Sequence, residues 1–147
     1  MPTAPPLTPT LEDALADFFR AARRARGRAN QRGAADGLSL AQWHLVEPLL
    51  DGPQPAARLA EAADVSPPTA SRVLEGLVAR GHVTRVADPS DRRIAMLELT
   101  EEGRAIALAK RREVRRALRQ IVSVVEPAER ERAAELLLRL AAVVEEL

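Results

Sequence analysis

The sequence predicts a mainly α fold (α+β), in which one small β-hairpin interrupts a run of helices. Apolar residues recur at helical spacing along most of the chain. Only residues 83–87 and 94–99 are rich in β-branched and apolar side chains, with a turn cluster between them. The core must be built from Ala, Leu and Val, because aromatic residues are 2% of the 147 and cysteine is absent. A chain of this length buries about two-thirds of its extended surface and needs no disulfide to hold it. The absence of Cys excludes thiolate metal sites, cysteine nucleophiles and thiol redox sensing, and two His leave little for a histidine metal cluster. No metal and no cofactor is expected. A net charge of +1, from 22 basic and 21 acidic residues, speaks at first sight against a polyanionic partner.

Residues 1–10 contain Pro2, Pro5, Pro6 and Pro9, which oppose helix and sheet alike, and read as a flexible arm. They hold no basic or apolar signal-peptide region, and no stretch of the chain is apolar enough to span a bilayer. A cytoplasmic protein with no membrane partner is expected. Thr10 reads as the N-cap of a first amphipathic helix over about 11–28, with Glu12 and Asp13 in its first turn. Leu11, Leu15, Phe18, Phe19 and Ala22 form its apolar stripe, and Arg20, Arg23, Arg24 and Arg26 its other face.

Residues 33–37 read as a break. Ser39 caps a second helix over about 40–50, where Pro48 predicts a kink or an early end. Asp51-Gly52-Pro53 is a stop. A short helix over 56–63 leads into a turn at Ala63-Asp64-Val65, and Ser66 caps a helix over 67–80 that opens with Pro67 and Pro68. Gly81 ends it. The hairpin follows, with Asp88-Pro89-Ser90-Asp91-Arg92-Arg93 at its tip. Thr100 caps a long helix to about 124, and Pro127 opens a last helix with Leu136, Leu137, Leu140, Val143, Val144 and Leu147 on one stripe.

Helix, helix, short helix, turn, helix, hairpin is the order of a winged helix-turn-helix. The helix after the turn offers its N-terminal, solvent-facing residues to a major groove. The DNA-contacting candidates on it are Pro67, Pro68, Thr69, Ser71 and Arg72. Arg suits guanine O6/N7 or a phosphate, and hydroxyls read less specifically. Free N–H groups at the helix start offer a phosphate contact. Arg85 on the wing strand is a candidate phosphate contact. Arg92 and Arg93 at the tip would reach the adjacent minor groove.

From Leu38 to Gly103 the chain resembles the MarR family of multiple antibiotic resistance regulators. Leu59-Ala60-Glu61, Val65-Ser66, Ser71-Arg72, Leu77 and Gly81 carry the resemblance. Its most specific part is the wing string from Asp88 to Arg93, followed by Leu97, Leu99-Thr100 and Gly103, which matches the family's D-P-x-D-R-R wing and L-T-x-x-G exit. The resemblance implies that Asp91 partners Arg93 and stiffens the wing, that double-stranded DNA is the partner, and that the first helix and the last two make a homodimer. The domains are then an arm (1–10), an N-terminal dimerisation helix and loop (11–37), the winged helix-turn-helix (38–100) and C-terminal dimerisation helices (101–147). It also implies a repressor that binds a pseudo-palindromic operator and responds to a small anionic or aromatic effector. Candidate effector contacts are Arg20, Arg24, Trp43 and His44, with a core position as the simpler reading of Trp43. Asp64 stands where the family often has Gly, and Asp tolerates the left-handed conformation. Pro53 and Pro55 crowd the family's first short strand and reduce it to a single bridge or nothing.

Two other functional classes fit the sequence less well. A small enzyme is disfavoured because His44 and His82 lie on different elements, and no nucleophile arrangement, phosphate loop or carboxylate pair is present. A winged-helix protein-interaction module would more often show apolar residues where this chain has an arginine-tipped wing. The balanced charge is itself a sum of opposite segments. Residues 66–96 carry Arg72, Arg80, Arg85, Arg92 and Arg93 against Glu75, Asp88 and Asp91. From Glu126 onward, Arg130, Arg132 and Arg139 face Glu126, Glu129, Glu131, Glu135, Glu145 and Glu146. Part of the basic run from Lys110 through Arg119 is expected to pair with Glu126, Glu129, Glu131 and Glu135.

Overall fold

The computed structural model describes residues 9–147, and the expected arm lies outside them except for Pro9 and Thr10. The chain divides into two units, Met1–Ala107 and Leu108–Leu147. In the first unit, α1 (Leu11–Asp36) starts on a capping box: Asp13 N–H donates to Thr10 Oγ1 at 3.1 Å, and Thr10 N–H donates to Asp13 Oδ2 at 3.2 Å. The helix continues to Asp36, two turns beyond the expected end near 28. Gly33 does not break it. A lone Gly costs a helix only about 1 kcal/mol, and the chain leaves the helix at Gly37, where the extended φ of 163° ends it.

The second helix, α2 (Leu40–Val46), has the capping box Ser39–Gln42. Pro48 acts as expected: the α-helix ends at Val46 and a 3-10 turn, Glu47–Leu50, carries the proline. Then follow α3 (Ala56–Ala62), the turn through Asp64 at φ 52°, and α4 (Pro67–Ala79), closed by Gly81 at φ 78°. Strands β1 (Val83–Ala87) and β2 (Ala95–Leu99) pair antiparallel, Val83 opposite Leu99 and Ala87 opposite Ala95. Ile94 stays outside the strand because its N–H donates to Asp91 O and its carbonyl accepts from Asp88 N–H, which closes the wing tip. The short first strand that the resemblance implied is reduced to one bridge, Gln54 with Leu97, as expected from Pro53 and Pro55.

The core of this unit is aliphatic. Leu38, Trp43, Leu45, Val46, Leu49, Leu59, Ala60, Ala70, Leu74, Leu77, Val83, Leu97 and Ala107 are buried. Full burial of Leu59 and Leu77 stabilises the fold by about 2 kcal/mol each. This core fixes α3, α4 and the hairpin to one another, and so positions the tip of the wing relative to the start of α4.

The helix α5 (Glu101–Val122) runs from the first unit into the second. In the second unit a 3-10 turn, Pro127–Glu129, precedes α6 (Arg130–Glu145), which has no buried residue. Leu118, Ile121, Leu136, Leu137, Leu138, Val143 and Val144 are all exposed. The expected pairing of the α5 basic run with the α6 glutamates is not formed. Among the described residues of this unit the ion pair is Lys110 with Glu113 at 3.0 Å, one turn along the same helix. Exposed arginines have little to gain from surface pairing and stay solvated. No helix of the described residues is long and apolar enough to cross a membrane.

Candidate nucleic-acid interface

Pro67, Pro68, Thr69, Ser71 and Arg72 are all exposed on the first turns of α4, opposite the buried Leu74 and Leu77. The local chemistry differs from expectation in one respect. Pro67 and Pro68 carry no N–H, Thr69 N–H is capped by Ser66 Oγ at 3.4 Å, and Ala70 N–H donates to Ser66 O at 2.9 Å. The first helical turn, 67–70, therefore has no free backbone N–H to offer a phosphate, and the cap residue Ser66 has the one left over there. Thr69 Oγ1 also shares a hydrogen bond with Ser66 Oγ at 2.8 Å. That ties Thr69 to the cap, while the exposed side chains of Ser71 and Arg72 make no hydrogen bond among the described residues. Ser71 and Arg85 line one shallow hollow with Glu75, Leu74, Ala56, Ala95 and Leu97, so the start of α4 and the wing strand meet there. Glu75 was not foreseen at this junction.

The wing tip is a hydrogen-bonded scaffold. Asp88 Oδ1 accepts from Ser90 N–H and Ser90 Oγ, both at 2.7 Å, and from Asp91 N–H at 3.3 Å. Asp91 Oδ1 accepts from Arg93 N–H and Arg93 Nε, and Asp91 Oδ2 from Arg93 Nη2, all at 3.0 Å. Asp91 thus partners Arg93, as the wing string implied. The Arg93 side chain is nevertheless 90% exposed, so it is held and presented at once. Arg92 is exposed beside it.

The Ser90 hydroxyl and N–H hold the Asp88 carboxyl below the usual carboxylate range, and the Arg93 guanidinium does the same for Asp91. Arg93 is correspondingly raised by Asp91. A carboxyl with a lowered folded pKa orders its partners fully above the unfolded value and loses them as pH falls through the folded one. The Arg93 Nε–H NMR resonance is therefore expected to stay fixed from about pH 8 to pH 5 and to move only below about pH 4. A transition near pH 6 would contradict this account of the tip.

Behind the wing, one threonine joins three elements. Thr100 Oγ1 donates to Gly81 O at 2.6 Å and accepts from Gly103 N–H at 3.0 Å. Thr100 N–H donates to His82 O at 3.1 Å. The end of α4, the start of β1 and the first turn of α5 are fastened at this point. Gly103 packs directly on the His82 backbone: a Cβ built there would lie 1.8 Å from His82 O. This is what the L-T-x-x-G spacing achieves.

The effector candidates fare differently. Trp43 is 2% exposed and belongs to the core, so it is withdrawn as a contact. Arg20 pairs with Asp17 on α1. A cavity does adjoin α2, but its walls are Arg26, Asn30, Leu40, Ala41, His44, Ala63, Asp64 and Val65. His44 lines it, whereas Arg20 and Arg24 do not. The arginine that lines it is Arg26, further along the same basic face of α1.

Comparison with known proteins bears on this geometry. The MarR family profile matches residues 36–94. YhbI, an HTH-type transcriptional regulator of Bacillus subtilis, is 40% identical over 52 residues, a match that spans 35% of this chain and 34% of YhbI. A probable transcriptional regulator of Pseudomonas aeruginosa has a crystal structure that is 30% identical, with a TM-score of 0.69, over 89% of this chain and 99% of that one. The chain belongs to the MarR family. It is accordingly a DNA-binding transcription regulator of winged-helix fold rather than an enzyme. The S. aureus MepR–DNA complex shares this MarR fold at a TM-score of 0.71 and 21% identity, over 86% of this chain and 94% of that one.

Proposed function

We propose that this MarR-family chain is a ligand-responsive, homodimeric repressor in the cytoplasm that binds a pseudo-palindromic operator. Ser71 and Arg72 read the major groove, with Pro67, Pro68 and Thr69 shaping the contact. Arg93, oriented by Asp91, enters the minor groove, with Arg92 and Arg85 on flanking phosphates. The observation that carries the reading is the rigid, arginine-presenting wing beside an exposed helix start in one packed unit. The DNA complex of MepR, a protein of the same fold, supports it. We assign residues 38–100 to DNA binding, and 11–37 with 101–147 to dimerisation.

The dimer is supported by apolar faces with no partner in the chain's own units. Phe18 and Phe19 on α1 are more than half exposed, and α6 presents Leu136, Leu137, Leu140, Val143 and Val144. Such stripes on otherwise charged helices bury themselves against another copy. The repressor role and the effector follow from the family resemblance.

Footprinting on the DNA upstream of the chain's own gene tests both parts. The expected result is two protected half-sites about one helical turn apart, since protein two-fold symmetry sets the spacing. A single protected half-site would remove the dimer, and no protection at low salt would remove this operator.

A further inference from the structure

We propose that Glu75 is a specificity-determining residue of α4, whose carboxylate accepts a hydrogen bond from the exocyclic amino group of a cytosine in the major groove. Glu75 has this role only if α4 enters that groove, as proposed above, and it adds to Ser71 and Arg72 a reader of opposite charge.

The helix sets the position. Pro68, Ser71, Arg72 and Glu75 follow one another at the i, i+3, i+4, i+7 spacing of one helix face. At 3.6 residues per turn, Glu75 lies within about 60° of the other three around the axis. All four are exposed, while Ala70 and Leu77 are buried on the far side. Glu75 stands about 6 Å beyond Ser71 along the axis. It therefore shares the face that meets base edges rather than the flanks that meet phosphates.

The chemistry sets the base. A carboxylate accepts hydrogen bonds and cannot donate them. In the major groove guanine shows O6 and N7 and thymine shows O4, all acceptors that repel it. Adenine sets its N6 amino group beside the acceptor N7, whereas cytosine shows its N4 amino group alone. Glu75 thus favours cytosine and rejects guanine and thymine, so it discriminates by repulsion as well as by attraction. Among the described residues it forms no ion pair that would occupy the carboxylate.

Arg85 makes a carboxylate tolerable so close to phosphates. It stands opposite Leu97 across the hairpin, and residues directly opposite share a face of the sheet. Leu97 is buried, so Arg85 rises from the core-facing side of the wing. Arg85 and Glu75 line the same hollow of about 100 Å³ between the wing and α4, without the direct contact of an ion pair. The cation offsets part of the repulsion that phosphates exert on Glu75, and the carboxylate stays free to accept from a base.

The test is selection of bound sequences from a randomised duplex library by the full chain and by its Glu75→Gln and Glu75→Ala variants, followed by affinities on the selected duplexes. With the parent, one position in each half-site should hold cytosine, and guanine or thymine there should bind at least about tenfold more weakly. In Glu75→Gln that position should change to adenine, because an amide pairs with N6 and N7 together. In Glu75→Ala the preference there should vanish while the rest of the motif persists. Both substitutions suit an exposed position inside a helix, so melting temperatures should not fall.

The outcomes separate this role from the reading beneath it. If the parent selects no motif, sequence-specific recognition by α4 fails, and the role of Glu75 fails with it. If the parent selects a motif that both variants leave unchanged at every position, α4 reads DNA and Glu75 does not. If Glu75→Ala instead weakens all duplexes alike, and does so no longer in an Arg85→Ala background, Glu75 only positions Arg85 and the base contact is overturned.

Discussion

Replacing Gly103 by alanine should cost the protein about 3 kcal/mol or more of stability, measured as a lowered urea midpoint at unchanged slope. Helix propensity alone predicts the opposite sign. Gly103 is the third residue of α5, where Ala would normally gain up to about 1 kcal/mol. The close approach decides between the two effects. The added Cβ would sit 1.8 Å from His82 O and 2.7 Å from His82 C, and both are backbone atoms that no rotamer change can move. His82 O accepts the Thr100 N–H, and His82 N–H donates to Leu77 O, so shifting this peptide loosens both the end of α4 and the start of α5. A Gly103→Ala protein as stable as the parent would show that the packing of α5 against His82 is not tight.

That contact illustrates which parts of the molecule could be read in one dimension. Features set by neighbours in the chain were legible. Thr10, Ser39 and Ser66 cap the helices where their side chains reach the next turn, and Pro48 stops α2 within two residues of its own position. Asp64 takes the left-handed conformation in the turn. The wing tip was legible in detail, because Asp88 to Arg93 bond almost entirely among themselves. The fold class followed from the order of these local elements.

What escaped depends on residues far apart or on competition for one group. Gly103 and His82 are distant in the chain, and nothing in either one's surroundings announces that they touch. The α4 start read as a phosphate site through free N–H groups, but the two prolines and the Ser66 cap leave none in the first helical turn, 67–70. Arg20 and Arg24 were candidates from the basic face of α1, which cannot say which of its arginines meets α2; Arg26 of that same face lines the cavity, with Asn30 from the part of α1 beyond its expected end. Trp43 was open to two readings, and burial settled it.

The wing makes the second large prediction. Arg93→Ala should weaken operator binding on the order of a hundredfold and lower the slope of log affinity against log salt by about one. The guanidinium is held before DNA arrives, by Nε and Nη2 on the two Asp91 oxygens at 3.0 Å, yet its side chain is 90% exposed. Little rotamer entropy remains to be lost when it enters a narrow groove, where negative potential is concentrated. Its removal does a second kind of damage. Asp91 is left ionised with its main partner gone, at the point of the wing that must approach phosphates. The double variant Asp91→Ala/Arg93→Ala should therefore bind more tightly than Arg93→Ala alone, a non-additivity that a simple lost contact would not produce. Asp91→Ala alone keeps the charge of Arg93 but frees its side chain, so its loss should be smaller than that of Arg93→Ala. Arg92→Ala leaves the scaffold whole and should remove one phosphate-like contact, with a similar salt effect and a smaller loss. Fluorescence anisotropy of a labelled operator over a salt series measures all four proteins. If Arg93→Ala binds as tightly as the parent with the same slope, the wing is a structural hairpin and recognition rests on Ser71 and Arg72. If the double variant is no better than Arg93→Ala, Asp91 acts only by holding the arginine and adds no repulsion of its own.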